Sequence, residues 1–426
     1  MVQGREIFEK ELTAIFQAVK NNIRLDLAQG AKLIRTDFDR FLVLLLAASI
    51  FAPFYFSACV VIGIALMAMI NCKKRVRAFE APYTKFLFAF LIVAFFVAAI
   101  YNNYVGIAYS ILIYAVVGCA LYLRSIMTRS IFNSAMDLVC VGSIFSLFVA
   151  LFQKASSFST APDYRPVSVF TNANYYGMII EFVVMIALYR IFTNSELSAF
   201  YFAVIGLNFI GLYLTASFSA FATMVMTVTL MLLLKKRRKS ALAFFLSVGV
   251  FVGLMVVFPQ LLPRGSQALD HTLAQRLSIW TASIEGIKQH LFFGRGAMAY
   301  QLIYKQFSSY QTYHCHNLIL DILLNFGIFG LASIGIYTAV QLKFLWLRAR
   351  NNLCMDMNIL MVAATAAVFI HGMTDVTILW IQTGALFALI FSSTGIDADY
   401  VEKGIQVPHL LPDYSGDSVT ALYLKN

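Results

Sequence analysis

The sequence predicts an all-α polytopic integral membrane protein: about twelve transmembrane helices and one long outer loop that carries an amphipathic helix. Three observations lead there. Hydrophobic residues make up 60 % of the 426 and charged residues only 12 %, about half the ~25 % that a soluble domain uses to cover its surface. Apolar runs of bilayer-spanning length follow one another from Phe41 onward. The basic residues, which give a net charge of +11, cluster beside those runs: Lys73-Lys74-Arg75-Val76-Arg77, Lys235-Lys236-Arg237-Arg238-Lys239, and Lys343 with Arg348 and Arg350. Such clusters mark cytoplasmic loops and touch anionic head groups, so the partners expected from charge are membrane lipids and no nucleic acid.

No cleavable signal peptide is expected within residues 1–40, because Arg5, Glu6, Glu9, Lys10 and Glu11 interrupt any apolar core. Phe8, Leu12, Ile15, Val19 and Ile23 recur at three- and four-residue spacing, the pattern of an amphipathic helix on the inner membrane face. A crossing helix needs roughly 20 apolar residues. Nine such runs fill residues 41–262, at 41–56, 57–72, 84–101, 105–123, 134–153, 172–192, 198–216, 218–234 and 241–262. Pro53 divides the first two. Three more fill 316–394, at 316–342, 357–374 and 376–394. This threading puts the N-terminus, the basic clusters and the polar tail 395–426 on one side.

Two stretches then face the other side, about 154–171 and 263–315. In the second, Leu273, Leu277, Trp280, Ile284, Ile287 and Leu291 alternate by four and three, which predicts an amphipathic helix at the interface or over a cavity. The outer stretches hold Arg165, Arg264, Arg276 and Arg295, where topology would thin arginines out. A guanidinium is always charged and its planar fork matches phosphate oxygens, although any single arginine can instead snorkel to head groups. His316 stands at the exit of the long loop, and an imidazole exchanges protons near neutrality. Asn317 follows it, and Gly327 and Gly330 lie further along, where small residues permit close helix packing. Glu181, Asp321, His371 and Asp375 are ionisable groups in or beside apolar spans, which are costly and tend to be functional. Asp321 lies five residues past His316, roughly 140° around the helix, and need not meet it.

The cysteines form no CxxC pair and no His/Cys ligand spacing. His314, Cys315 and His316 are too close in sequence to converge readily on one ion, and no Asp-x-Asp pair lies in the outer loops. No metal and no cofactor are expected.

The stretch His316–Gly330 has the form H-N-x9-G-x-x-G and resembles the signature of the bacterial O-antigen ligase and O-antigen polymerase superfamily. Arg165 with Phe170-Thr-Asn-Ala-Asn-Tyr-Tyr-Gly177, Pro263-Arg264 followed by Arg276-Leu-Ser-Ile-Trp280, and Phe293-Gly-Arg-Gly296 resemble the same superfamily, in its order. The resemblance spans about residues 40–395. It implies an inverting, metal-independent glycosyltransferase of the lipid-donor type in the bacterial cytoplasmic (inner) membrane, its active site facing outward. Such an enzyme polymerises or ligates a surface polysaccharide, moving a glycan from undecaprenyl pyrophosphate to an acceptor glycan or lipid. By motif, Arg276 would hold the pyrophosphate and His316 would orient or deprotonate the acceptor hydroxyl. Arg165, Arg264, Asn172, Asn174, Asn317, Trp280, His371 and Asp375 complete the expected substrate-binding set. One position departs from the pattern: Phe218, in Leu214-Thr-Ala-Ser-Phe-Ser-Ala220, stands where many members carry arginine, so Arg165 or Arg264 would supply the second cation. A transporter or flippase of this size would also have twelve spans, but two related halves are expected of it and no internal repeat is visible. A non-catalytic homologue is the other alternative.

Overall fold

The computed structural model describes residues 37–79, 84–161, 163–261, 266–308 and 310–397. The expected N-terminal amphipathic helix, Arg264 and the tail beyond 397 lie outside the described residues. All regular structure among the described residues is helical: α1 Phe38–Ser49, α2 Phe54–Ile70, α3 Cys72–Phe79, α4 Thr84–Ile100, α5 Tyr104–Ile126, α6 Arg129–Ser157, α7 Ala173–Thr193, α8 Ser198–Thr215, α9 Phe218–Leu234, α10 Arg238–Val257, α11 Ser266–Gln289, α12 Tyr300–Phe307, α13 Leu318–Arg350, α14 Met355–Gly372 and α15 Ile381–Phe391. Short polar side chains start many of them by accepting the first orphan amide protons. Asn103 takes that of Gly106, Thr128 that of Ile131, Asn172 that of Asn174 and Ser217 that of Ala220.

Seven of these helices are long and apolar enough to cross a membrane, and four shorter apolar helices accompany them among the described residues. The chain is a polytopic helical membrane protein, but the expectation of twelve full spans is corrected. Pro53 cannot donate within a helix and becomes the N-cap of α2, which leaves α1 twelve residues. That is about 18 Å, well short of a ~30 Å hydrocarbon core. The run 376–394 is also divided. A 3₁₀ turn at Thr377–Leu379 and the extended Trp380 precede the eleven residues of α15. The two short pieces meet: Gln382 Nε2 donates to the carbonyls of Ile50 (3.1 Å) and Ala52 (2.8 Å) at the α1–α2 turn, and Phe54 packs on Trp380. Backbone carbonyls freed inside the bundle are thus satisfied by protein, as a low-dielectric surround requires.

Helix α7 is the hub. It packs on α6, α8, α9, α14 and α15, and 83 % of its spanning window is buried, against 6 % for α10, which leans on the bundle through α9. A second apolar cluster joins α11, α12 and the start of α13. Here the expected face of α11 is only half right. Ile279, Ala282 and Ile287 are buried, whereas Leu273, Leu277 and Ile284 are exposed. The helix therefore keeps one apolar face on the protein and another outward, as an interfacial element does.

The expected span 316–342 is not one straight helix. Within α13, Gly327 has φ 64° and ψ −165°, a region open essentially to glycine alone. The break is stitched to the loop 291–296. Arg295 N–H and Gly296 N–H donate to the Leu324 and Asn325 carbonyls at 3.2 and 2.8 Å, and Ile328 N–H and Phe329 N–H donate to the Leu291 and Phe292 carbonyls at 2.9 and 3.1 Å. Two intrahelical bonds, from residues 328 and 329 back to 324 and 325, are replaced by four bonds to the loop. A Cβ on Gly327 would run into the Phe292 carbonyl, and one on Gly294 into the Asn325 carbonyl. The Phe293-Gly-Arg-Gly296 motif is thereby explained as the partner of a broken helix, and the glycine of H-N-x9-G-x-x-G as the break itself.

Candidate active site

Four segments converge at one end of the bundle: the loop before α7, the α8–α9 turn, α11, and the pair formed by the loop 312–317 with the loop 373–380. Asn317 fixes the last two together. Its Oδ1 caps α13 by accepting from Ile319 and Leu320 N–H, and its Nδ2 donates to the Met373 carbonyl at 3.0 Å. The Asp321 carboxylate secures the loop from behind, accepting the Cys315 amide at 3.0 Å and the Asn325 side-chain amide at 2.8 Å.

His316, in the left-handed region at φ 50°, turns its ring so that Nδ1 lies 2.8 Å from Asp375 Oδ1. The carboxylate also accepts from Val376 N–H at 2.9 Å and from Asn174 Nδ2 at 2.5 Å. Asp375 is almost sealed and His316 is not, with side-chain exposures of 2 % and 24 %. Burial acts to raise the Asp375 carboxyl, but the adjacent His316, through its charge and its hydrogen bond, and then His314 outweigh it and hold the group well below the usual carboxylate range. An ionised Asp375 takes the Nδ1 proton of His316 as a hydrogen bond, which leaves the lone pair on Nε2. That atom lies 3.4 Å from Thr312 Oγ1, whose single proton can turn either to it or to the His314 carbonyl at 3.0 Å. His316 is thus oriented as a base on the side away from Asp375.

Nε2 has a space to act in. A cavity of about 460 Å³, within the size range of small-ligand sites, is lined by His316, Arg276, Arg165, Asn174, Ser217, Phe218 and Ser219, with others of α11. Arg165 is braced by donating from Nε to the Thr215 carbonyl at 2.6 Å and from Nη2 to Asn174 Oδ1 at 2.7 Å. Asn174 in turn holds Asp375, so one chain of hydrogen bonds runs from a cation to the base. Arg276 lines the same cavity from α11 and makes no ion pair among the described residues. Phe218 lines the same cavity, and Arg165 is tied through the Thr215 carbonyl to the turn that precedes it.

The other expected residues take supporting positions. Asn172 is the exposed N-cap of α7. Trp280 donates its indole N–H to the His316 carbonyl at 3.4 Å. His371 is fully buried and its Nδ1 meets Glu181 Oε1 at 2.6 Å, away from the cavity lining. Arg295 lies over the Tyr101 ring, 5.4 Å from its centroid, in the stitched loop and outside the cavity. Sequence reasoning missed Ser217, Ser219 and the positioning of the Arg165 loop by Gln153, which accepts from Val167 and Ser168 N–H at 3.1 and 2.8 Å.

His314, His316 and Asp375 place three potential metal-ligand atoms within 4.8 Å of one another. The hydrogen bonds argue against a cation there. His314 Nδ1 accepts the His316 amide N–H at 3.3 Å, which puts the ring proton on Nε2, the atom 3.7 Å from Asp375. Both imidazoles therefore point N–H groups, not lone pairs, at the carboxylate.

Residues 201–335 match the family model described as O-antigen ligase. Over this stretch the chain is similar to O-antigen ligases. The match runs from α8 through α11 and α12 into α13, and so contains Arg276, His316, Asn317 and both glycines of the motif. Arg165, Asn174 and Asp375, which complete the geometry, lie outside it. A comparison with curated proteins returned no match. The O-antigen ligase assignment supports a polysaccharide-processing, glycosyltransferase-like role for the membrane protein.

Proposed function

We propose that the protein is a polysaccharide polymerase or ligase of the bacterial inner membrane. It transfers a glycan from undecaprenyl pyrophosphate to an acceptor hydroxyl on the outer face, without a metal ion and with inversion. The observation that carries this reading is that His316, held from behind by Asp375, and two arginines, Arg165 and Arg276, border one cavity.

In a single displacement, the acceptor hydroxyl gives its proton to His316 Nε2 as its oxygen bonds to the anomeric carbon. The bond from that carbon to the pyrophosphate oxygen breaks on the opposite side, and inversion follows. The imidazolium that forms is stabilised by Asp375 through Nδ1–H. The leaving pyrophosphate gains negative charge opposite Arg276 and Arg165, fixed cations where charge develops. Inversion, donor, acceptor and outward orientation rest on this mechanism and on the family, and the lipid-linked glycan and acceptor are the partners it requires.

The test is transfer by purified protein in liposomes, supplied with lipid-linked repeats with and without a separate acceptor. Product growth without added acceptor marks a polymerase, and dependence on the acceptor marks a ligase. His316→Ala is expected to lose roughly 10²- to 10⁴-fold in rate, the usual worth of a general base, and Arg276→Ala a comparable factor from lost charge stabilisation. If both variants transfer glycan normally while flux of the lipid-linked substrate across the bilayer falls, the protein is a transporter instead. Absence of transfer by the wild type with any donor would make it a non-catalytic homologue.

A further inference from the structure

Resting on the reading of His316 as the base, we infer that His314 is its positioning residue, holding the His316 backbone and ring through its Nδ1 acceptor. The argument begins with the backbone. His316 is a non-glycine residue at φ 50°, a conformation that persists only where neighbours secure it. The neighbour here is two residues upstream: His314 Nδ1 accepts the His316 amide N–H at 3.3 Å. An Asn or Asp side chain makes the same bond to the amide two residues on in an Asx turn, and histidine Nδ1 occupies the place of the asparagine Oδ1.

Both the backbone and the ring of His314 have further partners. Thr312 Oγ1 accepts the His314 amide at 3.3 Å and can donate to its carbonyl. Tyr175 Oη lies 3.5 Å from Nε2. The His314 ring meets the His316 ring edge-on, with centroids 4.4 Å apart, so it also packs directly against the base. His314 itself does not line the cavity and is buried. Burial pushes its ionisation down to about 4 against the pull of Asp375, with His316 and Arg276 adding to the lowering. It therefore leaves the proton traffic to His316.

Tautomer mimics provide the test. Asparagine keeps an acceptor at the Nδ1 position, glutamine keeps a donor at the Nε2 position, and alanine keeps neither. In the liposome assay, His314→Asn should retain kcat within about threefold of wild type. His314→Gln and His314→Ala should lose about 10²-fold in kcat, the penalty for a base displaced by an ångström or so, with the donor KM nearly unchanged. The pH–rate profile of His314→Asn should keep the wild-type shape. The inference is overturned if glutamine rescues and asparagine does not, if alanine leaves kcat intact, or if all three variants lose activity equally. Loss of the asparagine variant's melting transition also counts against it, since an Asx turn should hold the loop equally well. Retained activity in His316→Ala is the separate result that removes the base assignment itself.

Discussion

Asp375 does for His316 what no other group at the site can do, because it fixes which nitrogen carries the proton. Asp375→Asn keeps the shape but offers Nδ1 an amide that can donate as well as accept, so the ring can turn its lone pair away from the cavity. The expected result is a kcat lower by roughly 10²- to 10⁴-fold with donor KM little changed, as for other carboxylate–histidine pairs. His314 supplies a pH test. Its ionisation falls from 6.5 in the unfolded chain to about 4 in the folded one. Between those values the unfolded chain binds the extra proton, so stability rises with pH through this window and is lost on acidification. A loss on the order of 2 kcal/mol between pH 7.5 and pH 5 follows, seen as a falling melting temperature in detergent and largely abolished in His314→Asn. Much of the site was legible at this scale: His316, Arg276, Arg165 and Asn174 carry chemistry by residue type and by position beside apolar runs. The pairing was not. His316 and Asp375 are 59 positions apart, and only the packing of α13 on α14 brings them together. His314 was visible only as a possible metal ligand, because a sequence does not say which ring nitrogen is already in use.

At the scale of elements, most helices could be placed from apolar length and from short polar caps such as Asn103, Asn172 and Asn317. Their breaks could not. A hydropathy window counts apolar residues on both sides of Gly327 alike, and the four bonds that replace the helix there come from residues about 30 positions upstream. The glycine pair read in sequence as a packing surface, whereas the first of the two interrupts the helix. The 41–72 and 376–394 runs misled in the same way, since α1 and α15 satisfy their ends on each other through Gln382. Gly327→Ala is accordingly expected to cost at least about 2 kcal/mol, from a backbone region closed to alanine and a Cβ aimed at the Phe292 carbonyl. It should also lower transfer, because the segment from Leu318 to Phe326 carries His316 at its head. Gly249→Ala is the control. No atom lies within 4 Å of its added Cβ, and in a helix interior alanine is favoured over glycine by roughly 0.5–1 kcal/mol, so its melting temperature should hold or rise.

Across the whole molecule the two ends of the helices differ in kind. One end gathers Arg165, the Thr215–Ser219 turn, α11, His316 and Asp375 around the cavity. The other holds structural ion pairs: Arg190 with Asp137 at 2.7 Å, Lys235 with Asp356, and Arg129 with Asp397 at 3.0 Å. Arg124 and Arg348 at that end also reach Thr394 and the Ile396 carbonyl. The basic cluster Lys235–Lys239 spans the α9–α10 turn and the start of α10, at the ion-paired end. Excess Lys and Arg in a short loop favours the cytoplasmic side, which supports the proposed opening of the cavity on the outer face, where a lipid-linked glycan awaiting polymerisation or ligation would meet it. Single cysteines decide the matter in intact cells. Ala274→Cys, on the exposed part of α11, should react with a membrane-impermeant maleimide without permeabilisation. Lys239→Cys, at the exposed start of α10, should react only after the membrane is opened. The reverse pattern would put the cavity on the cytoplasmic side, where donors still under assembly would reach it, and would overturn the outward-facing reaction even with His316 and Arg276 remaining essential.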